Sequence, residues 1–211
     1  MIKATTDLSP AFGPVRDQGQ RPTCLAFAAS DLHAHAQQSG HLSVDYLGYH
    51  TALSMGGIWQ PGMGFSVDHL LLAMNAPGQP SELAYPYDPL DHQRPLVTPP
   101  SASELHAMAA RHPVVNLADI ASTIQTGNPV GVVIAVTMSL HYPVNGVVQY
   151  ETAVFPDQFH AMGIIGIGKS EQDGSRHYLA RNSWGSTWGQ GGYAWIPESH
   201  LLRHTIRAFM I

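Results

Sequence analysis

The periodicity of the apolar residues changes once along this chain, near Pro113, and that change constrains the fold more than any other feature. Before it, Leu25, Ala28, Ala29, Leu32 and Ala36 recur at the i, i+3, i+4, i+7 spacing of a helix with one buried face. This spacing predicts a helix over Cys24–Gln38, with Thr23 as N-cap and Gly40 where the helix should stop. A second helix is expected from near Ser43 (Val44, Leu47 and Tyr49 follow) and a third over about Ser66–Met74. Residues 76–101 are rich in proline and turn residues and read as a surface-hugging connection. One more short helix is expected over Ser103–Arg111, opened by a capping box at Ser101–Glu104.

After Pro113 the pattern becomes that of strands. Val114–Val115, Gly131–Val136, Met162–Ile167, Tyr178–Asn182 and Tyr193–Ile196 are short β-prone runs. Turn signals at Gly127-Asn128-Pro129 and Asp173-Gly174-Ser175 separate them. The polar stretch Lys169–His177 is expected to form a long hairpin. Helices first and strands later imply an α+β architecture, with an active site where the halves meet.

Composition narrows the function classes. In 211 residues, 44% are hydrophobic and only 12% charged, which favours a packed core over disorder. The net charge is −5 and no Lys/Arg cluster tracks phosphates, which argues against nucleic acid or an anionic membrane surface as a partner. The longest apolar run, Val130–Val136, is far below the roughly 20 residues that span a bilayer. No apolar signal segment is read at the N-terminus, and the single cysteine stays reduced most easily in the cytosol. A cytoplasmic location is therefore the default, with a secreted or injected effector as the alternative.

That single cysteine lies in Asp17-Gln18-Gly19-Gln20-Arg21-Pro22-Thr23-Cys24, where a turn-rich loop delivers it to the first turn of the first helix. Unpaired backbone N–H groups and the helix dipole place positive potential beside the sulfur there. Both favour thiolate, the nucleophilic form. Position alone leaves a buried, inert thiol open as the other reading.

A nucleophilic cysteine needs a base, and the base needs an acceptor that fixes its tautomer. His160 immediately precedes the apolar run Ala161–Gly166, and Asn182 ends a strand before the loop Ser183-Trp184-Gly185. An Asn side-chain carbonyl can hold one ring N–H, and Trp184 can cover that hydrogen bond from water.

Taken together, these segments resemble the papain-like (C1) cysteine peptidases. The resemblance rests on Gln18-Gly19 before Cys24, Cys24 with Ala26-Phe27, and His160-Ala161 leading a glycine-rich strand. It rests equally on Asn182-Ser183-Trp184-Gly185 with Trp188-Gly189 and Gly192-Tyr193, and on Tyr85-Pro86-Tyr87. Cys24 and His160 are 136 residues apart, within the about 130–150 seen in papain and the cathepsins. The resemblance implies one peptidase domain over residues 1–211, in two lobes with a cleft between them. A helical lobe would cover about residues 14–112. An antiparallel β-barrel-like lobe would cover about 113–211, joined by the N-terminal segment. It also implies a cysteine endopeptidase: Cys24 forms a thioester acyl-enzyme, His160 is general base and acid, Asn182 orients His160, and Gln18 with the Cys24 N–H forms the oxyanion hole. Gly64, Phe65 and Trp184 would line the substrate cleft. The partner is a protein or peptide substrate, and no cofactor or metal is implied.

The chain also departs from the family pattern. Leu25 stands where tryptophan is usual, and Arg21-Pro22-Thr23 replaces Cys-Gly-Ser, so the form is disulfide-free. No pro-segment is recognised, which points to another restraint, such as a separate inhibitor or activator. Two alternatives share the motifs: a transpeptidase or transamidase using the same nucleophile, and a catalytically silent peptide-binding module. His200 and His204 have metal spacing but lack a third ligand nearby. His141 and Tyr142 read as surface residues, with the rim of the cleft as the alternative.

Overall fold

Why the first helix takes its place follows from its small side chains. The structure, a computed structural model, describes residues 1–57, 62–89, 98–101, 104–108 and 116–211. Helix α1 (Cys24–Gln37) is buried continuously from Leu25 to Ala34, and its alanines let it lie between other helices and a sheet. Its buried polar side chains each find a partner for at least one atom, while His33 Nε2 is left without one among the described residues. Ser30 Oγ donates to Leu42 O at 2.9 Å, Asp31 accepts from two arginines, and His33 Nδ1 pairs with Gln79 Oε1 at 2.8 Å. The helix stops at Gln38, which adopts the left-handed conformation (φ 51°), two residues before the expected Gly40. Thr23 precedes the helix but does not cap it. Its hydroxyl lies 3.1 Å from Tyr87 Oη instead.

Helices α2 (Val44–Ser54) and α3 (Val67–Asn75) fall where the periodicity put them. Ser43 Oγ caps α2 by accepting from Tyr46 N at 3.1 Å. The three helices bury Leu25, Phe27, Leu32, Leu47, Leu70 and Met74 in one core, which Ala161 and Phe209 join from the sheet. Tyr87 closes the far side: its ring meets Phe27 edge-on at 4.8 Å and its hydroxyl donates to Gln18 O at 2.6 Å.

The connection after α3 departs from expectation. Gly78, Gln79 and Pro80 are buried, because the Gln79 amide cross-links His33, Ser30 Oγ and Ser43 O. The helix expected over Ser103–Arg111 is not formed in its described part. Residues 104–108 form no helix, and His106 bridges Gln79 through paired backbone hydrogen bonds of 2.8 Å. The rest of that stretch and the Val114–Val115 run lie outside the described residues, as does part of the capping box.

The second half builds one antiparallel sheet from β1 (Ile2–Asp7), β2 (Val130–Ala135), β3 (Phe159–Ser170), β4 (Arg176–Arg181), β5 (Tyr193–Pro197) and β6 (Thr205–Phe209). The order is β5-β4-β3-β2-β6, with β1 paired to the distal half of β3. The 12 residues of β3 therefore change partner along one edge, from β2 near its start to β1 at its end. Glycine permits that crowding: a Cβ on Gly166 would come within 2.7 Å of Thr6 O, and one on Gly163 within 3.1 Å of Leu32 in α1. The expected hairpin is present, with Asp173 Oδ1 accepting from Ser175 N and Oγ at its turn. Short helices α4 (Leu117–Gln125), α5 (Met138–His141) and α6 (Glu198–His204) cover this sheet, and its core includes Ile124, Ile134, Leu140, Ile164, Tyr178 and Leu201. No described helix is long and apolar enough to cross a membrane. The result is an α+β fold of two lobes, one helical and one built on the sheet.

Candidate active site

Two loops from distant parts of the sequence are zipped together at the lobe junction. Gln18 N donates to Ser183 O at 2.8 Å, Gly185 N donates to Arg16 O at 3.2 Å, and Asp17 bridges Trp184. Gly19 takes φ 59° and Asp17 Oδ1 accepts from its N–H, so the loop turns sharply toward the start of α1. Gln18 is buried and doubly fixed. Its Oε1 accepts from Ser183 Oγ at 2.7 Å, and its Nε2 donates to Arg21 O at 2.7 Å, leaving a second N–H on that nitrogen.

Cys24 opens α1 and is partly buried against Ala161 and the helical core. Burial pushes its thiol up, while backbone N–H groups of Ala161, Leu25 and Cys24 itself pull the other way. His160 sits at the start of β3 and is nearly inaccessible. Its Nε2 lies 2.6 Å from Asn182 Oδ1. A carbonyl oxygen only accepts, so Nε2 carries the proton and the neutral ring is left basic at Nδ1. Asn182 Oδ1 also accepts from Ser183 N at 2.8 Å, which holds the amide in that orientation.

Trp184 shields this bond: its ring lies 4.2 Å from the His160 ring, and Trp188 supports it edge-on at 6.0 Å. Burial lowers the His160 pKa to about 4; the Asn182 hydrogen bond opposes this and the charge of His141 adds to it. Burial thus disfavours both charges of a thiolate–imidazolium pair. Forming the charged pair therefore requires that the attraction between the two charges offset their burial.

These groups meet in a cleft of about 750 Å³. Gln18, Cys24 and His160 line it with Gly64, Phe65 and Trp184, and Asn182 lies buried behind His160. Leu25, Val67, Val133 and Ile206 add apolar walls that the sequence did not reveal, because Val133 and Ile206 come from β2 and β6. One functional contact has no signal in the sequence: Ser183 orients Gln18 across 165 residues of sequence. For His141 the alternative reading holds, since it lines the cleft and its ring stacks on Trp184 at 5.0 Å and 9°.

A larger groove of about 1070 Å³ passes Trp195 and the Arg176–Glu198 ion pair, but contains neither the thiol nor its base. His200 and His204 do lie together, ring centroids 4.6 Å apart with planes tilted by 53°, and His204 Nε2 pairs with Glu151 O at 2.7 Å. Among the described residues no group of three or more His, Cys, Asp or Glu side chains is placed to hold a metal ion.

The lobes are held in register by one buried charge network beside the site. Asp31 of α1 accepts from Arg16 and from Arg181, each at 2.7 Å, and Arg181 immediately precedes Asn182. Arg181 also donates to Tyr193 Oη at 2.5 Å and Pro14 O at 2.8 Å.

Known proteins resemble this chain in sequence and in fold. The family described as papain family cysteine protease matches residues 4–201. Cathepsin K of Gallus gallus is 27% identical over 193 residues, covering 88% of this chain and 55% of that protein. The chain spans about half the length of such full-length curated relatives. Digestive procathepsin L 3 of Tenebrio molitor superposes with a TM-score of 0.81 at 23% identity, covering 100% of this chain and 70% of that one. Xylellain, a cysteine protease from Xylella fastidiosa, gives 0.79 at 20% identity, covering 100% and 86%. At these identities the structural likeness is one of fold.

Proposed function

This chain belongs to the papain family of cysteine proteases, and we propose that it is an endopeptidase cleaving peptide bonds through a thioester on Cys24. The observation that carries the reading is the 2.6 Å bond from His160 Nε2 to Asn182 Oδ1, buried under Trp184. It commits Nε2 as donor and leaves Nδ1 to exchange a proton with the thiol in the same cleft.

His160 Nδ1 takes the proton of Cys24, and the thiolate attacks the scissile carbonyl carbon. The resulting oxyanion is received by the free N–H of Gln18 Nε2 and the backbone N–H of Cys24. The imidazolium returns its proton to the leaving nitrogen, the C–N bond breaks, and the amine departs. His160 then deprotonates water, which adds to the thioester carbon. Collapse of that intermediate expels the Cys24 sulfur and releases the acid. Asn182 holds the ring throughout. Phe65, Val67, Val133 and Ile206 support an apolar substrate side chain in the acyl part of the cleft.

Intact mass after brief treatment with the epoxide E-64 tests the pair. One adduct is expected on wild type and far slower addition on His160→Ala at the same pH. A folded wild type that takes up neither E-64 nor iodoacetamide faster than a free thiol would refute the activated pair.

A further inference from the structure

Helix α5 is short, yet it is pinned at its start. Thr137 Oγ1 accepts from Leu140 N at 3.1 Å, and the Glu151 carboxylate accepts from Ser139 N at 2.9 Å. The helix delivers His141 to the cleft, flat on one part of the Trp184 ring system and edge-on to Phe155 at 5.7 Å. Trp184 also packs against His160, so one indole carries both imidazoles. Among the described residues of the cleft wall, His141 and His160 are the only basic side chains, and neither lysine nor arginine is present. No described residue engages the His141 nitrogens in a hydrogen bond or ion pair. Asp157, the one carboxylate of the wall, is exposed and forms no salt bridge with it, Glu151 is occupied at Ser139, and Tyr142 is turned largely to solvent.

We infer that His141 is a specificity-determining residue that binds a carboxylate side chain on the leaving side of the scissile bond, so that Asp or Glu is favoured directly after the cut. The inference rests on the peptidase reading above. The leaving nitrogen takes its proton from His160, and His141 packs on the same Trp184 ring as His160. A side chain next to that nitrogen therefore meets His141 rather than the apolar walls of Phe65 and Val67. There is a second gain. The charge of His141 opposes protonation of His160. A substrate carboxylate on His141 offsets that opposition at the step where His160 must hold a proton.

The test uses internally quenched peptides identical except for Glu, Gln or Lys after the scissile bond, with the cut position verified by mass. Wild type, His141→Phe and His141→Arg are compared at pH 6. The readout is the Glu-to-Gln ratio of kcat/KM within one preparation, which is independent of the fraction folded. Wild type should give roughly three- to tenfold, the scale of a partly shielded ion pair. The ratio should fall to about one in His141→Phe and return in His141→Arg. Cleavage by wild type with a ratio of one, or an unchanged ratio in His141→Phe, overturns this inference alone. No cleavage of any peptide by wild type overturns the peptidase reading and this inference with it.

Discussion

Each side chain around Cys24 has its orientation set by another, and this makes single substitutions informative. Asn182 holds His160, and Ser183 and Arg21 hold Gln18. Asn182→Ala removes a hydrogen bond to a ring that is charged in the transition state, about 1.5–3 kcal/mol. At 1.36 kcal/mol per decade, kcat/KM should fall roughly tenfold to a hundredfold, measured on active-site-titrated enzyme. Gln18→Ala removes an oxyanion donor, about 2.7–4 kcal/mol, so kcat should fall by about two to three decades with KM little changed. A Gln18→Ala enzyme with unaltered kcat would remove Gln18 from the oxyanion hole.

At the scale of elements, the problem is to hold a helix and a strand from different lobes in fixed relation. Asp31 does this by accepting from Arg181 of β4 and from Arg16, one residue before the loop that carries Gln18. Burial alone would raise the Asp31 pKa, but the two guanidinium groups win and hold it below the usual carboxylate range. Asp31→Asn leaves two largely buried arginines facing a neutral amide. The expected loss is about 3–5 kcal/mol of folding stability, read from urea unfolding at pH 7. A loss below 1 kcal/mol would mean the network is incidental to the fold. Packing of α1 on β3 depends on Gly163 in the same way, since any Cβ there crowds Leu32.

For the whole molecule, acidity is the exposed weakness. Burial lowers the pKa of His33, His41, His50, His160 and His200, with His160 and His200 brought to about 4. A histidine with a depressed folded pKa is neutral in the fold and charged when unfolded. Its stability contribution is therefore full above about pH 6.5 and is lost as pH falls toward 4. Each such proton steepens the loss by up to about 1.4 kcal/mol per pH unit. Unfolding free energy should fall by several kcal/mol between pH 7 and 5. His200 is fully buried with both ring nitrogens unpaired, so His200→Leu should flatten part of that slope. Equal slopes in the two proteins would show that His200 does not titrate on unfolding.

What the sequence determined by itself is whatever is local along the chain. The Ala-rich periodicity made α1 a helix with Cys24 at its start, and β-prone runs made strands that place His160 near the start of one and Asn182 at the end of another. Backbone periodicity ties those side chains to element ends, so motif and element were read together. Two elements went unread for different reasons. Helix α4 does carry a local signal, an Asn116 cap before Leu117, Ile120, Ala121 and Ile124 at helical spacing, whereas β6 pairs with β2, far earlier in the chain. Gln79 was read as surface because an amide is cheap to leave in water, yet three partners from α1 and the start of α2 bury it. The tertiary structure alone decided which charges meet Asp31, which hydroxyl turns Gln18 and which ring lies on Trp184. Each of these is a contact between segments whose separation only chain closure brings to a few ångströms, and local propensity carries no information about it.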